Sequence, residues 1–301
     1  MENMGNGSPQ WAELPADILA AIMNKVPLEE KLGVVPSLCK SWGKAVMDPC
    51  SWKIVDLEKF SLEHADDSAM VERMLRFLLN RSSGCLRNLY IARLENDSLF
   101  SLVAEMVTLE KLLLPEGRMS DAIVVEHAGR FSNLKFLDLS YCMNVGAQAL
   151  EALGKNCPLE GLCRCMLPNN LFKDISQDEE VVAIATTMHK LKILRMNYLK
   201  FQNESILKVL SSCPDLRELD VRGCWEVNLA NHIDEYPSLT VLGPHIEEVM
   251  RDFNEFIRAR RFGPVVDPYL YTSDSDEYDE DESELEDEED EDGPGLEDLE
   301  F

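Results

Sequence analysis

Two nine-residue stretches, LKFLDLSYC at Leu134–Cys142 and LRELDVRGC at Leu216–Cys224, follow one pattern, L-x-x-L-x-(L/V)-x-x-C. Its first six positions recur at Leu86 (LRNLYI), Leu109 (LEKLLL) and Leu191 (LKILRM). A degenerate copy starts at Leu159 (LEGLCR) and a half-copy at Leu239 (LTVLG). Successive starts lie 23, 25, 25, 32, 25 and 23 residues apart. Isolated L-x-x-L pairs are common in helical proteins, but five of six offsets inside so narrow a band mark a true internal repeat. The one long offset contains an insertion-like stretch, Leu167–Glu180.

The spacing has a physical reading. Three apolar positions point inward from a short strand, a Cys-type position satisfies the following turn, and roughly 15 residues must return the chain. The return segments carry helical stripes: Leu99, Leu102, Val103 and Met106; Leu150, Leu153 and Cys157; Ile206, Leu207, Val209 and Leu210 with Cys213. A single unit cannot bury its apolar face, whereas stacked neighbours bury a continuous core. This pattern resembles the cysteine-containing class of leucine-rich repeats, with about seven units over residues 86–244. The resemblance implies an α/β fold: a curved solenoid with parallel strands on the concave side and helices on the convex side.

Strand alternation turns the third and fifth positions of each copy away from the core. Those positions hold Asn88 and Tyr90, Lys111, Phe136 and Asp138, Arg195, then Glu218 and Asp220. Ser140, Asn197 and Arg222 continue the row one pleat further. Mixed charge with aromatic anchors suits a protein-binding face, so these residues are the expected contacts for a protein substrate.

Ahead of the repeats, Trp11–Leu57 reads WAELPADILAAIMNKVPLEEKLGVVPSLCKSWGKAVMDPCSWKIVDL. Leu14, Ile18, Leu19 and Ile22 share a helix face that opens at Pro15, whose missing N–H costs nothing at a helix start. Leu28, Leu32, Val35, Cys39 and Trp42 mark a second helix, in which Pro36 predicts a kink or break. So small a helical unit hardly stabilises itself, so part of its apolar surface should meet the repeats or a partner. Leu14-Pro15, Ile18 to Ile22, Leu28 and Leu32, Leu38-Cys39-Lys40-Ser41-Trp42 and Trp52 together resemble the F-box, over residues 10–58. The resemblance implies a three-helix unit that binds the Skp adaptor of a cullin-based ubiquitin ligase. It carries adaptor contact to Leu14, Pro15, Ile18, Leu19, Ile22, Leu28, Leu32 and Trp42, with Trp52 expected in the core. Residues 59–85 are expected to form a connecting helix. F-box followed by cysteine-type repeats resembles the F-box/leucine-rich-repeat proteins, plant type, in detail at NDSLFSL (Asn96–Leu102), FLDLSYC (Phe136–Cys142) and RGCWEV (Arg222–Val227). The function so implied is a substrate receptor that works without catalysis of its own.

The rest of the chain constrains partners. Of the 56 acidic residues, 18 fall in residues 272–301, which have no Lys or Arg, leaving 38 acids against 29 bases elsewhere. The net charge of −27 therefore divides into −9 and a separable polyanion, with residues 263–301 and 1–9 expected to be disordered. Ser273 and Ser283, each followed by acidic residues, resemble casein-kinase-type phosphorylation sites. Residues 245–262 place Ile246, Val249, Met250, Phe253, Phe256 and Ile257 on one stripe, the expected capping helix of the array. An acidic tail after leucine-rich repeats also resembles acidic nuclear proteins that bind histones or other basic proteins, the alternative reading. The acidic balance argues against nucleic acid or an anionic membrane as partner. Nine cysteines within apolar patterns suit a reducing nucleus or cytoplasm, and no signal peptide is recognisable. No apolar run reaches membrane length. Cys163 and Cys165 form only a C-x-C, and the five histidines stand singly, so neither a metal, a cofactor nor a catalytic group is expected.

Overall fold

The computed structural model describes residues 11–166, 175–224, 226–230 and 232–244. The expectations for residues 1–9, the capping stretch 245–262 and the tail 263–301 with Ser273 and Ser283 lie outside the described residues.

Eight three-residue strands form one parallel sheet in strict chain order. They are β1 (Ile54–Asp56), β2 (Asn88–Tyr90), β3 (Lys111–Leu113), β4 (Phe136–Asp138), β5 (Gly161–Cys163), β6 (Ile193–Arg195), β7 (Glu218–Asp220) and β8 (Thr240–Leu242). The register aligns equivalent positions of every copy: Leu89, Leu112, Leu137, Leu162, Leu194 and Leu219 stand side by side and are buried. Burying each such leucine stabilises the fold by roughly 1.5–3 kcal/mol. Helices α7 (Asp97–Ala104), α8 (Asp121–His127), α9 (Ala147–Asn156), α10 (Asp178–Thr187) and α11 (Asn203–Ser212) return the chain between strands, so the architecture is α/β. At β8, the last strand of the described residues, Leu239 and Val241 are only half-buried.

Polar groups stitch neighbouring copies. The Cys142 thiol donates to the Leu114 carbonyl at 3.1 Å and the Cys224 thiol to the Met196 carbonyl at 2.8 Å. Each acceptor is the last apolar residue of the preceding copy, so the Cys position satisfies a neighbouring carbonyl. Burial pushes the Cys142 thiol up to about 12, which suits a structural donor and not a nucleophile. The first residues of the helices serve the same end. Asp97 accepts from the Ser120 amide at 2.6 Å, and Asp121 from the Gly146 and Ala149 amides at 2.7 and 3.2 Å. An aspartate thereby caps the next helix as well as favouring its own N-terminus.

The degenerate copy that forms β5 hides the main exception. Arg164 occupies the third apolar position of LEGLCR and is fully buried. Its Nε donates to Glu180 Oε2 at 2.8 Å and Nη2 to Glu180 Oε1 at 3.2 Å. Nη1 reaches the Leu139 and Cys142 carbonyls at 3.3 and 3.2 Å, and Nη2 the Val145 carbonyl at 2.7 Å. All five guanidinium donors are satisfied, the condition under which a buried charge is tolerated.

The N-terminal segment contains α1 (Ala16–Met23), α2 (Leu28–Gly33), α3 (Val35–Leu38) and α4 (Lys40–Met47). Three helices were expected, and there are four because the second one is divided. Val34 separates α2 from α3, with Pro36 in the first turn of α3, and Cys39 is extended at φ −165°. Pro36 has no N–H to continue a helix and instead starts a new one. Residues 59–85 likewise hold two helices in place of one connecting helix: most of α5 (Glu58–Glu63), then α6 (Ser68–Ser82), which starts at an Asp67 side-chain cap.

The helices and the sheet share one hydrophobic core, continuous from Leu19 to Leu229. The junction is a copy of the repeat that the leucine count passed over. In WKIVDL, Val55 pairs with Leu89, so Trp52 stands where each later copy has its first leucine. Trp52 is fully buried, donates to the Val46 carbonyl at 2.8 Å, and lies edge-on to Phe77 with Lys31 Nζ 4.9 Å from its ring. Asn24, closing α1, donates to the Ala20 and Cys50 carbonyls and accepts from the Lys53 and Ile54 amides. One side chain thus fixes the first helix to the first strand.

Candidate protein-interaction surfaces

Two surfaces carry the residues marked by the sequence. The first is the N-terminal helical segment. Among the eight expected adaptor contacts, Pro15, Ile18 and Leu32 are exposed, Ile18 by 45% and Leu32 by 39%. Leu14, Ile22, Leu28 and Trp42 are half-buried against the core. Leu19 corrects the expectation: it is only 4% exposed, in the shared core, and presents no surface to a partner. On α1 it lies beside Ile18, but the helix turns about 100° per residue, so neighbours face different ways.

The expected set also misses exposed residues. Trp11, Val34, Leu38 and Met47 are each about half exposed or more. With Ile18 and Leu32 they make six of the thirteen large exposed apolar side chains of the described residues, within Trp11–Met47 alone. An unbroken helix from Leu28 to Trp42 would put Val35 and Leu32 on one face. The break at Val34 resets the rotation, burying Val35 and exposing Val34 and Leu38. Pro36 was the available signal.

The second surface is the outward row of the sheet. Across β2 to β4, Lys111 Nζ sits 5.3 Å from the Tyr90 ring centroid and 5.1 Å from that of Phe136, a cation between two aromatic faces. Phe136 also lies over Gly161 of β5: a Cβ there would come within 2.3 Å of the ring. Glycine at this position is what lets the aromatic side chain lie flat. Across β6 and β7 the row becomes charged. Arg195 Nε meets Glu218 Oε1 at 2.7 Å, Asn197 Nδ2 donates to Asp220 Oδ1 at 2.8 Å, and Arg222 grips the same carboxylate at 3.0 and 2.8 Å.

Asn88, Tyr90, Lys111, Phe136, Arg195, Asn197, Glu218 and Arg222 keep part of their surface. Asp138, Ser140 and Asp220 do not, at 5%, 5% and 2% exposed, which corrects their assignment as direct contacts. Their short side chains are used locally. Asp138 accepts from the Ser140 amide at 2.7 Å, the Ser140 hydroxyl accepts from the Cys165 amide at 3.3 Å, and Asp220 positions Asn197 and Arg222. Alternation gives the direction of a side chain; longer neighbours on adjacent strands decide whether it reaches solvent.

No cluster of metal-ligating side chains occurs among the described residues, and no helix among them is long and apolar enough to cross a membrane. His64, His127 and His189 engage the Phe60 carbonyl, the Ser101 hydroxyl and the Ser212 carbonyl, respectively, as structural histidines do. Burial pushes Cys157 and Cys165 up to about 12 and Cys213 to about 11. Such thiols are poor nucleophiles.

No family model matches the chain. It is 42% identical to the F-box protein FBW2 of Arabidopsis thaliana over 240 residues, covering 78% of this chain and 75% of that protein. It is 29% identical to the F-box protein SKIP19 of the same plant, covering 76% and 74% of the two chains. It is 28% identical to the putative F-box/LRR-repeat protein 23, also from Arabidopsis, covering 74% of this chain and half of that protein. Among solved structures, the yeast Rad7–Elc1 complex matches 56% of this chain and 57% of its own with a TM-score of 0.38 and 18% identity, too slight a likeness to argue from.

Proposed function

The chain belongs to the F-box protein family, and on that premise we propose that it is the substrate-recognition subunit of an Skp–cullin–F-box ubiquitin ligase. In this reading Ile18 and Leu32, with Pro15 and the half-buried Leu14, Ile22, Leu28 and Trp42, meet the Skp adaptor. The outward row meets a target protein, which is ubiquitinated and degraded. The observation that carries the reading is the density of exposed apolar side chains on the N-terminal helices, beside a repeat array whose strand leucines ahead of the last copy are buried. Exposed apolar surface at that density marks a docking site.

The chemistry is proximity. The chain holds a target's lysines near a ubiquitin-charged enzyme, raising their effective concentration without a group that reacts. That mechanism asks for a fixed geometry between the two ends, which the shared core and the Asn24 clamp favour. A pull-down with a purified Skp adaptor tests the proposal, comparing wild type with Ile18→Asp/Leu32→Asp. Both positions are exposed, so the variant should fold and lose adaptor binding at least tenfold, about 1.4 kcal/mol. Wild type that does not bind, or a folded variant that binds equally well, overturns it.

A further inference from the structure

Cys50 and Cys85 are 35 residues apart in sequence, and their sulfurs lie 3.8 Å apart. Both are half-buried. Cys50 sits in the 3-10 turn Pro49–Trp52, ahead of β1. Its amide is held by Asp48 Oδ1 at 2.8 Å and its carbonyl by Asn24 Nδ2 at 3.0 Å. Cys85 follows α6, after Ser83 and Gly84 at φ 42° and 77°, with its amide bonded to the Ser82 carbonyl at 2.7 Å. Two separate hydrogen-bonded turns therefore bring the thiols together, and neither depends on a bond between them. A disulfide requires the sulfurs to close from 3.8 Å to about 2.05 Å, and nothing lies within 4 Å of where a Cβ on Gly84, next to Cys85, would sit. The thiols already interact: hydrogen bonding and charge repulsion from Cys85 raise the Cys50 thiol, which disfavours its thiolate and leaves the first attack to Cys85.

We propose that Cys50 and Cys85 are a reversible redox pair whose disulfide locks the N-terminal helices onto the first repeats. The oxidant is a low-molecular-weight disulfide such as oxidised glutathione. One cysteine, as thiolate, attacks an oxidant sulfur, forming a mixed disulfide and releasing one thiol. The second cysteine then attacks the protein sulfur of that mixed disulfide and expels the other thiol. Two cysteine thiols become one disulfide, and their two electrons and two protons leave on two molecules of reduced thiol. A cysteine pair of this kind in a reducing compartment is a transient, redox-sensing feature and not a permanent staple. The bridge would join the turn before β1 to the start of the copy that contains β2. The proposal does not rest on adaptor binding.

The test uses the full chain. The protein is treated with oxidised glutathione, free thiols are alkylated, and peptides are mapped by mass spectrometry. The expected result is a Cys50–Cys85 crosslinked peptide with the other cysteines alkylated, and a Tm raised by roughly 5–10 °C that dithiothreitol reverses. Cys50→Ser and Cys85→Ser, each shown folded by circular dichroism, should both abolish the crosslink and the Tm rise. Folded wild type in which both thiols are alkylated, or each carries glutathione without joining, overturns the pairing. A crosslink with unchanged Tm overturns the lock.

Discussion

The N-terminal helices and the repeat array are built from similar apolar residues and use them in opposite ways. In the array the second leucine of every full copy is buried against its neighbours, and polar side chains satisfy backbone groups between copies. In the helices, Leu19, Met23, Val35 and Val46 are buried with Ala20 and Ala45; Ile22, Leu28 and Trp42 pack half-buried against the core; and Ile18, Leu32, Leu38 and Met47 remain in solvent. Each copy of the array is completed by another copy. Among the described residues the helical segment has one such neighbour, at Trp52, and its remaining apolar face is exposed. What separates the regions is the number of neighbours that the chain itself supplies.

The largest effect tests whether the array depends on complete internal satisfaction. Arg164→Ala would leave Glu180 a buried carboxylate without its cation and remove the guanidinium bonds to the Leu139, Cys142 and Val145 carbonyls, the first two of which keep the Cys142 and Val145 amides as donors. Breaking one side of a buried pair costs about 3–5 kcal/mol. Urea unfolding should show a markedly lower midpoint, while the proposed adaptor surface on α1 and α2 keeps its residues. An Arg164→Met variant as stable as wild type would show that the ion pair only fills space. In that case the copy at β5 would behave as an ordinary apolar one.

A smaller effect sharpens the contrast within one helix. Leu19→Ala removes a core side chain and should cost about 2–4 kcal/mol. Ile18→Ala, one residue away, removes an exposed one and should change stability by no more than about 0.5 kcal/mol. Adaptor binding by the folded fraction should respond in the reverse order, with Ile18→Ala the more damaging. Equal stability losses at both positions would mean that α1 presents no free face, and that the two regions are not built differently.

The array was legible because period and burial coincide there. A leucine every 23 to 25 residues can be buried only if equivalent residues stack, so counting offsets located seven of the eight strands. β1 escaped because Trp52 replaces the leucine and lies 34 residues before Leu86, outside the band. Arg164 escaped because a charge at an inward position reads as degeneration until Glu180, on the following helix, is seen to meet it. For the candidate surfaces, the sequence identified helix faces and strand faces but not exposure. Leu19, Asp138, Ser140 and Asp220 all fail as contacts for that reason. Val34 and Leu38 needed the break at Pro36 to be read as a change of rotation.

The smallest effect concerns a feature in which the two regions should not differ at all: exposed charge. The residue after the first leucine of successive copies alternates in sign, from Arg87 through Glu110, Lys135 and Glu160 to Lys192. Glu110 lies 3.5 Å from Arg87 and 2.9 Å from Lys135, and Glu160 lies 2.7 Å from Lys192. Its hydrogen bond to Lys192 holds the Glu160 carboxyl below the usual carboxylate range. A carboxyl lowered on folding adds stability that is present above its unfolded value and fades as pH falls through the lower folded one. Both partners are more than 40% exposed, so water and salt screen most of that gain. Glu160→Gln should therefore cost less than about 1 kcal/mol at neutral pH, less still in high salt, and nothing in acid below the folded value. Unfolding midpoints across pH and ionic strength measure this directly. A cost as large as that of Leu19→Ala, or one indifferent to salt, would mean that the copies are held in register by charge and not by the leucines beneath it.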